Sequence, residues 1–211
     1  MDQELIKRIF SSLILIPLSL FFIIEGSFYF IFFLWIIFLF SSLEWINMNK
    51  NVELKILGII FLSISLFSTY YFREKGGIGA FLFVIIICIS TDIGGYFFGK
   101  LFQGPKLTII SPNKTYAGVI GGYFLSLTTL KIFTSVFDYS GTLIQLVLTT
   151  ILISTISQIG DIIISYFKRK SNIKDTGNII PGHGGLLDRI DGMIFAFPAF
   201  YFVELTGYLS V

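Results

Sequence analysis

With 211 residues, 55% of them hydrophobic and only 13% charged, this chain lacks the makeup of a water-soluble domain, which carries about 25% charged residues. A mean hydropathy of +0.85 makes lipid the solvent for most of the surface. The single cysteine, Cys88, excludes an intrachain disulfide and a C-x-x-C metal or redox site. The net charge of +2 says little by itself, and no nucleic-acid partner is expected.

A helix that spans the hydrocarbon core needs roughly 17–25 apolar residues. Seven stretches meet that need, at about 6–24, 27–45, 54–72, 78–98, 116–137, 141–164 and 190–209. The expected fold is therefore an all-α integral membrane protein, a polytopic helix bundle of about seven spans. The first apolar run follows Lys7 and Arg8, as a signal peptide would, but no small-residue cleavage site follows it, so it reads as a retained helix. Only Glu25 and Gly26 separate the first two spans, which predicts a tight hairpin. Ala117, Gly118, Gly121 and Gly122 predict close helix packing in the fifth span. No internal repeat or second soluble domain is visible. The chain reads as one membrane domain, with N-terminal helices over 1–84 and a functional core over 85–211.

Basic residues set the orientation. With the N-terminus in the cytoplasm, the cytoplasmic segments hold Lys7, Arg8, Lys50, Lys55, Lys100, Lys106, Lys114, Lys168, Arg169, Lys170, Lys174 and Arg189. The opposite side holds only Arg73 and Lys75, and Lys131 lies within a span. The C-terminus then faces outward. Two cytoplasmic loops stand out, at about 99–115 and 165–191. On charge alone the second can be a topology signal or a surface resting on anionic headgroups.

Ionisable groups inside a membrane are costly and mark function by default. Asp92 lies late in the fourth span, Asp161 near the end of the sixth, and Asp188 and Asp191 at the start of the seventh. The alternating topology places all four near the inner headgroups. Asp188 and Asp191 are three apart and would share a helix face. Taken alone, Asp188 reads equally well as a helix cap. For Asp161 the obvious intramembrane partner is Lys131, but that residue sits about 14 positions into the fifth span, roughly 21 Å from its start. An unpaired carboxylate at this depth suggests a cation. Oxygen ligands shared with water or phosphate suit Mg2+, and the lack of a Cys or His cluster argues against zinc.

Pro181-Gly182-His183-Gly184-Gly185 is a dense set of turn formers whose backbone N–H groups can converge on an anion. Beside the aspartates, phosphate binding by Gly182, Gly184 and Gly185 is the favoured reading over a plain re-entry turn. His183, the one histidine, reads as a positioning residue. In the other loop, Ser111, Lys114 and Thr115 at a helix start suit a nucleotide or phosphate, although that signal is weak alone.

The run Ser165-Tyr-Phe-Lys168-Arg169-x4-Lys174-Asp175-x-Gly177-x3-Pro181-x-His183-Gly184-Gly185-x2-Asp188-Arg189-x-Asp191 closely resembles the signature of the phosphatidate cytidylyltransferases. Asp92-x-Gly94-Gly95-Tyr96-x2-Gly99, Ser111-Pro112-x-Lys114-Thr115 and Gly160-Asp161 resemble the family too, in the same order. The resemblance covers about residues 85–200. It departs at Asn113, where a second Lys is usual, and at Ala117, where an acid is usual. The chain is also shorter than typical members, by N-terminal helices, which bears on a homodimer interface more than on chemistry.

The resemblance implies that a phosphatidic acid oxygen attacks the α-phosphorus of CTP. Pyrophosphate leaves, and CDP-diacylglycerol stays among the membrane lipids. Such a displacement needs positioning and charge neutralisation. Asp161 and Asp188 would hold Mg2+, with Asp191 and Asp92 as further ligands and room for a second cation. Lys168, Arg169 and Lys174 would neutralise phosphates, with Asp175, His183 and Arg189 in the same catalytic loop. Ser111, Lys114 and Thr115 would close the nucleotide side. The expected setting is a bacterial inner membrane with the site facing the cytoplasm. Two other readings use the same ingredients on another lipid: a CTP-dependent polyprenol kinase and an archaeol-type cytidylyltransferase. An ion channel or transporter would instead spread its carboxylates over several depths.

Overall fold

The computed structural model describes residues 3–136 and 142–206. The described residues form eight helices: α1 (Gln3–Glu25), α2 (Ser27–Met48), α3 (Val52–Glu74), α4 (Gly77–Phe102), α5 (Tyr116–Val136), α6 (Leu143–Lys170), α7 (Leu187–Ile190) and α8 (Met193–Leu205). Six of them, α1 to α6, are long and apolar enough to cross a membrane. Large apolar side chains such as Phe10, Leu13, Phe28 and Trp35 stand exposed along them. In water that surface would be prohibitive; in a bilayer it faces lipid tails. The chain is an integral membrane protein with the expected all-α bundle architecture.

The six expected spans match these helices to within a few residues, with one informative extension. Residues 165–170, expected as loop, continue α6, so Lys168, Arg169 and Lys170 occupy its last turn. Basic groups there complement the helix carbonyl end. The seventh expected span, 190–209, is broken: α7 has 4 residues and α8 has 13, with a turn at Asp191–Gly192 between them. The expected ends of the fifth and seventh spans, the start of the sixth and the C-terminus lie outside the described residues.

The chain divides into two compact units. One comprises Met1–Ile78 and Phe167–Ile190, the other Gly79–Tyr166 and Asp191–Val211. The residues from 167 to 190 thus group with the N-terminal helices.

In the first unit, the hairpin between α1 and α2 turns at Gly26 (φ 67°). The end of α3 latches it. Arg73 donates from Nε to the Ile23 carbonyl (2.6 Å) and from Nη2 to that of Ile24 (2.9 Å), while the Ser27 N–H donates to Glu74 Oε1 (2.9 Å). Helix-end carbonyls that lipid cannot satisfy are thereby paired. At the other end of α2, Trp45 donates its indole N–H to the Leu54 carbonyl (2.8 Å) and stands edge-on to Phe167.

In the second unit, α4, α5 and α6 approach closely over small residues. A Cβ on Gly118 would lie 2.7 Å from the Gly95 carbonyl oxygen, and one on Gly122 would lie 3.1 Å from that of Thr91. This is the packing that the small residues of the fifth span predict. Hydroxyls bond across the helices, Ser90 to Thr129 (2.9 Å) and Thr91 to Ser154 (2.9 Å).

Candidate active site

The second unit holds two of the expected carboxylates. The segment 103–115 folds back as a tight turn, with Leu107 N–H to Lys114 O (2.8 Å), Lys114 N–H to Ser111 O (3.0 Å) and Tyr116 N–H to Pro105 O (3.2 Å). The turn presents Lys114, whose Nζ sits 2.5 Å from Asp161 Oδ2 on α6. Asp161 Oδ1 also accepts a long bond from Ser165 Oγ, one turn on (3.3 Å). Asp92 on α4 is exposed and within electrostatic range of both Asp161 and Lys114.

This arrangement corrects the expectation that Asp161 has no cationic partner. Its partner is not Lys131 within a span but Lys114, brought in by a loop. The Lys114 and Asp161 side chains are 24% and 31% exposed, so the pair is open to solvent or ligand. Thr115, expected at a nucleotide, caps α5 by accepting the Gly118 N–H at Oγ1 (3.1 Å). Ser111 contributes its carbonyl to the turn.

Asp191 falls in the turn after α7, so it does not share a helix face with Asp188 as the three-residue spacing suggested. The physical reason is local. Gly192 packs onto Ser157 so closely that a Cβ would collide with its hydroxyl, and Asp191 Oδ1 takes the Gly192 N–H (2.8 Å). The helix breaks to make this approach.

The first unit holds Asp188, and here the environment is dense. Asp188 Oδ1 pairs with Lys168 Nζ at 2.7 Å. Its Oδ2 accepts from Thr176 N–H (2.8 Å) and Gly185 N–H (3.1 Å) and lies 3.1 Å from Thr176 Oγ1. The side chains of Lys168 and Asp188 are 12% and 6% exposed. Beside them stands an acid that the sequence reading passed over, Glu44 near the end of α2. It is 3% exposed. Leu186 N–H donates to its Oε1, and Leu187 N–H and Thr176 Oγ1 donate to its Oε2, each at 2.8 Å. The N–H of Gly185, one of the three glycines expected to cradle a phosphate, thus donates to Asp188, and the N–H groups of Leu186 and Leu187 that follow it donate to Glu44.

The glycine turn is also held from α1. Arg8 donates to the Gly182 carbonyl (2.8 Å), Ser11 Oγ lies 2.9 Å from His183 Nδ1 and donates to the Pro181 carbonyl (3.1 Å), and Arg189 donates to the His183 carbonyl. Gly182 and Gly184 have positive φ, 77° and 86°, which L side chains rarely adopt. Arg169, Lys174 and Asp175 are exposed, with Arg169 donating to the Ile173 carbonyl (3.2 Å).

Among the described residues no group of three or more histidine, cysteine and acidic side chains gathers to hold a metal. Mg2+ does not require one, since it is bound through one or two carboxylates plus phosphate oxygens and water. Asp92 and Asp161 have that donor chemistry and the exposure to use it. Asp188 fits less well, because its oxygens already accept from Lys168 and two backbone N–H groups.

Residues 50–206 match the model of the cytidylyltransferase family. The chain is 40% identical over 133 residues to a phosphatidate cytidylyltransferase of Staphylococcus haemolyticus, covering 63% of this chain and 51% of that protein. It is 41% identical over 131 residues to one of Bacillus subtilis, covering 62% and 49%, and 38% identical over 144 residues to one of Staphylococcus saprophyticus, covering 68% and 55%. The chain spans about half the length of the curated relatives it matches. With three quarters of its residues inside the family match, and the paired charges of that match in place, the chain belongs to the cytidylyltransferase family.

Proposed function

We propose that this protein transfers a cytidylyl group from CTP to phosphatidic acid, giving CDP-diacylglycerol and pyrophosphate. The observation that carries the reading is the open Lys114–Asp161 pair with Asp92 beside it, built from the residues of the family signature. The names of the similar proteins support the choice of lipid.

In this reading a phosphatidate oxygen bonds to the α-phosphorus of CTP as the bond from that phosphorus to the bridging oxygen breaks, and pyrophosphate departs. The protein's share is placement and neutralisation of charge. Asp161 and Asp92 would hold Mg2+, which supplies charge for the departing pyrophosphate. Lys114 exchanges Asp161 for a phosphate oxygen when substrate arrives. Within the first unit, Arg169 and Lys174 are exposed and carry the charge to take up a phosphate, while Lys168 and Asp188 fix the loop that runs from one to the other. The site faces the cytoplasm of a bacterial inner membrane, where soluble CTP meets a lipid that cannot leave the bilayer; a homodimer is compatible with this. Cysteines at Asn178 and Gly76 in a Cys88→Ala background should label from opposite sides.

The test is incorporation of label into lipid by the purified protein from CTP labelled at the α-phosphate and, in parallel, from CTP labelled at the γ-phosphate. The α-label should enter CDP-diacylglycerol only with phosphatidate and Mg2+ present, and the γ-label should leave as pyrophosphate. The γ-label appearing in a polyprenol phosphate, or neither label in any lipid, would overturn the reading.

A further inference from the structure

Glu44 lies on α2, outside the residues that the family match covers. Its setting is unlike that of a stray acid at a helix end. It is 3% exposed, and it accepts from three donors of the loop: Leu186 N–H, Leu187 N–H and Thr176 Oγ1. Two glycines of the signature make room for it. A Cβ on Gly177 would have Glu44 as its nearest neighbour, at 2.7 Å from Oε1, 3.0 Å from Cδ and 3.2 Å from Cγ; one on Gly185 would lie 2.5 Å from Oε2 and collide with Thr176 Oγ1. Through Thr176 the contacts continue to Asp188 Oδ2 and so to Lys168. Thr176 gives its hydroxyl proton to Glu44 and its backbone N–H to Asp188, and Lys168 donates to the other Asp188 oxygen, so the four residues form one hydrogen-bonded chain within one compact unit.

We propose that Glu44 is a positioning residue for cytidylyl transfer: its buried carboxylate is the anion around which the glycine turn folds, and it sets the place of Asp188 and Lys168. The role rests on the reading under Proposed function; the anchoring itself does not. Gln at 44 offers one acceptor where the loop presents three donors, and its amide N–H2 would face another N–H. Asp keeps both acceptors but is one methylene short.

The experiment uses the full chain in lipid nanodiscs. Amide exchange is followed by mass spectrometry at residues 184–190, and kcat and KM for CTP and phosphatidate are normalised to folded protein. Glu44→Gln should speed exchange of the Leu186 and Leu187 amides about tenfold or more while α3 stays protected, and should lower kcat on the order of 10- to 100-fold. Glu44→Asp should fall between it and wild type on both readouts. Gly177→Ala should impair the wild type but cost little more in a Glu44→Ala background, because the three atoms it would strike are gone.

Unchanged exchange at Leu186 and Leu187 overturns the anchor. Faster exchange with wild-type kcat and KM per folded molecule overturns the positioning role, as do strictly additive losses in the Gly177 and Glu44 pair. A wild-type protein without transferase activity removes the functional reading and the positioning role with it, while the exchange result still decides the anchor.

Discussion

Asp188 and Asp161 belong to the same family signature, yet the two units hold them in opposite ways. Asp188 is 6% exposed and surrounded by Lys168, two backbone N–H groups and a hydroxyl. Asp161 is 31% exposed, with one lysine and one long bond from a neighbouring serine. An acid whose lone pairs are filled by its own chain organises structure. An acid with open lone pairs and a lysine that can swing away is suited to a cation and a phosphate. The contrast separates an acid held by its own loop from one left open to a ligand, although sequence alone puts both aspartates in one category.

The largest effect should come from removing charge at the open site. Asp161→Asn is expected to lower CDP-diacylglycerol formation about 100- to 1000-fold, as loss of a group that acts on developing charge does. Its size-exclusion profile and thermal midpoint should stay near wild type, because a partly exposed pair contributes about 1 kcal/mol or less. Asp188→Asn should behave differently. An Asn carbonyl can face either Lys168 or the Thr176 and Gly185 N–H groups, and its N–H2 then meets the other set as a second donor. Breaking a pair this buried costs about 3–5 kcal/mol, so this variant should lose thermal stability in detergent as well as turnover. A stable but inactive Asp188→Asn would erase the contrast and return Asp188 to the metal.

Next in size is Lys114→Gln. Stability should change by about 1 kcal/mol or less, while KM for CTP should rise about tenfold or more, the equivalent of one charge-assisted hydrogen bond. An unchanged KM with lower protein yield would make Lys114 a partner for Asp161 and nothing further.

The sequence reading found the helices because lipid demands an unbroken apolar run, and six such runs are six helices. It found Asp161 and Asp188 because charge near such runs is conspicuous. It missed the partner of Asp161 and the second buried acid because both contacts are remote along the chain: Lys114 reaches Asp161 across 47 positions, and Glu44 reaches Leu187 across 143. Glu44 was hidden for a further reason. It sits where a span was expected to end, and an acid there reads as an ordinary boundary charge. The break between α7 and α8 was equally invisible, because Gly192 is small for the sake of Ser157, 35 positions earlier. Periodicity reports what a helix shows to its solvent, not what a distant residue needs from it.

The smallest effect tests whether adjacent basic residues divide their labour as the two aspartates do. Lys168 and Arg169 are consecutive in the last turn of α6, but Lys168 turns inward to Asp188, whereas Arg169 is exposed and donates only to the Ile173 carbonyl. Lys168→Gln leaves a buried carboxylate without its cation, so it should share the destabilisation of Asp188→Asn, and the double variant should be less impaired than the sum of the two. Arg169→Gln removes a charge that water already solvates. Its thermal midpoint should hold within about 0.5 kcal/mol of wild type. Its kcat should hold as well, with KM for CTP or phosphatidate rising a few-fold and the rise shrinking as salt is added, since exposed charges are screened over about 10 Å at 0.1 M. The measurement is a salt series of initial rates for the two single variants. Salt-sensitive KM in Arg169→Gln with wild-type stability would assign Arg169 to a phosphate. A KM equal to wild type at every salt concentration would leave Arg169 as a topology signal, and the exposed end of α6 would then have no part in substrate binding through this side chain.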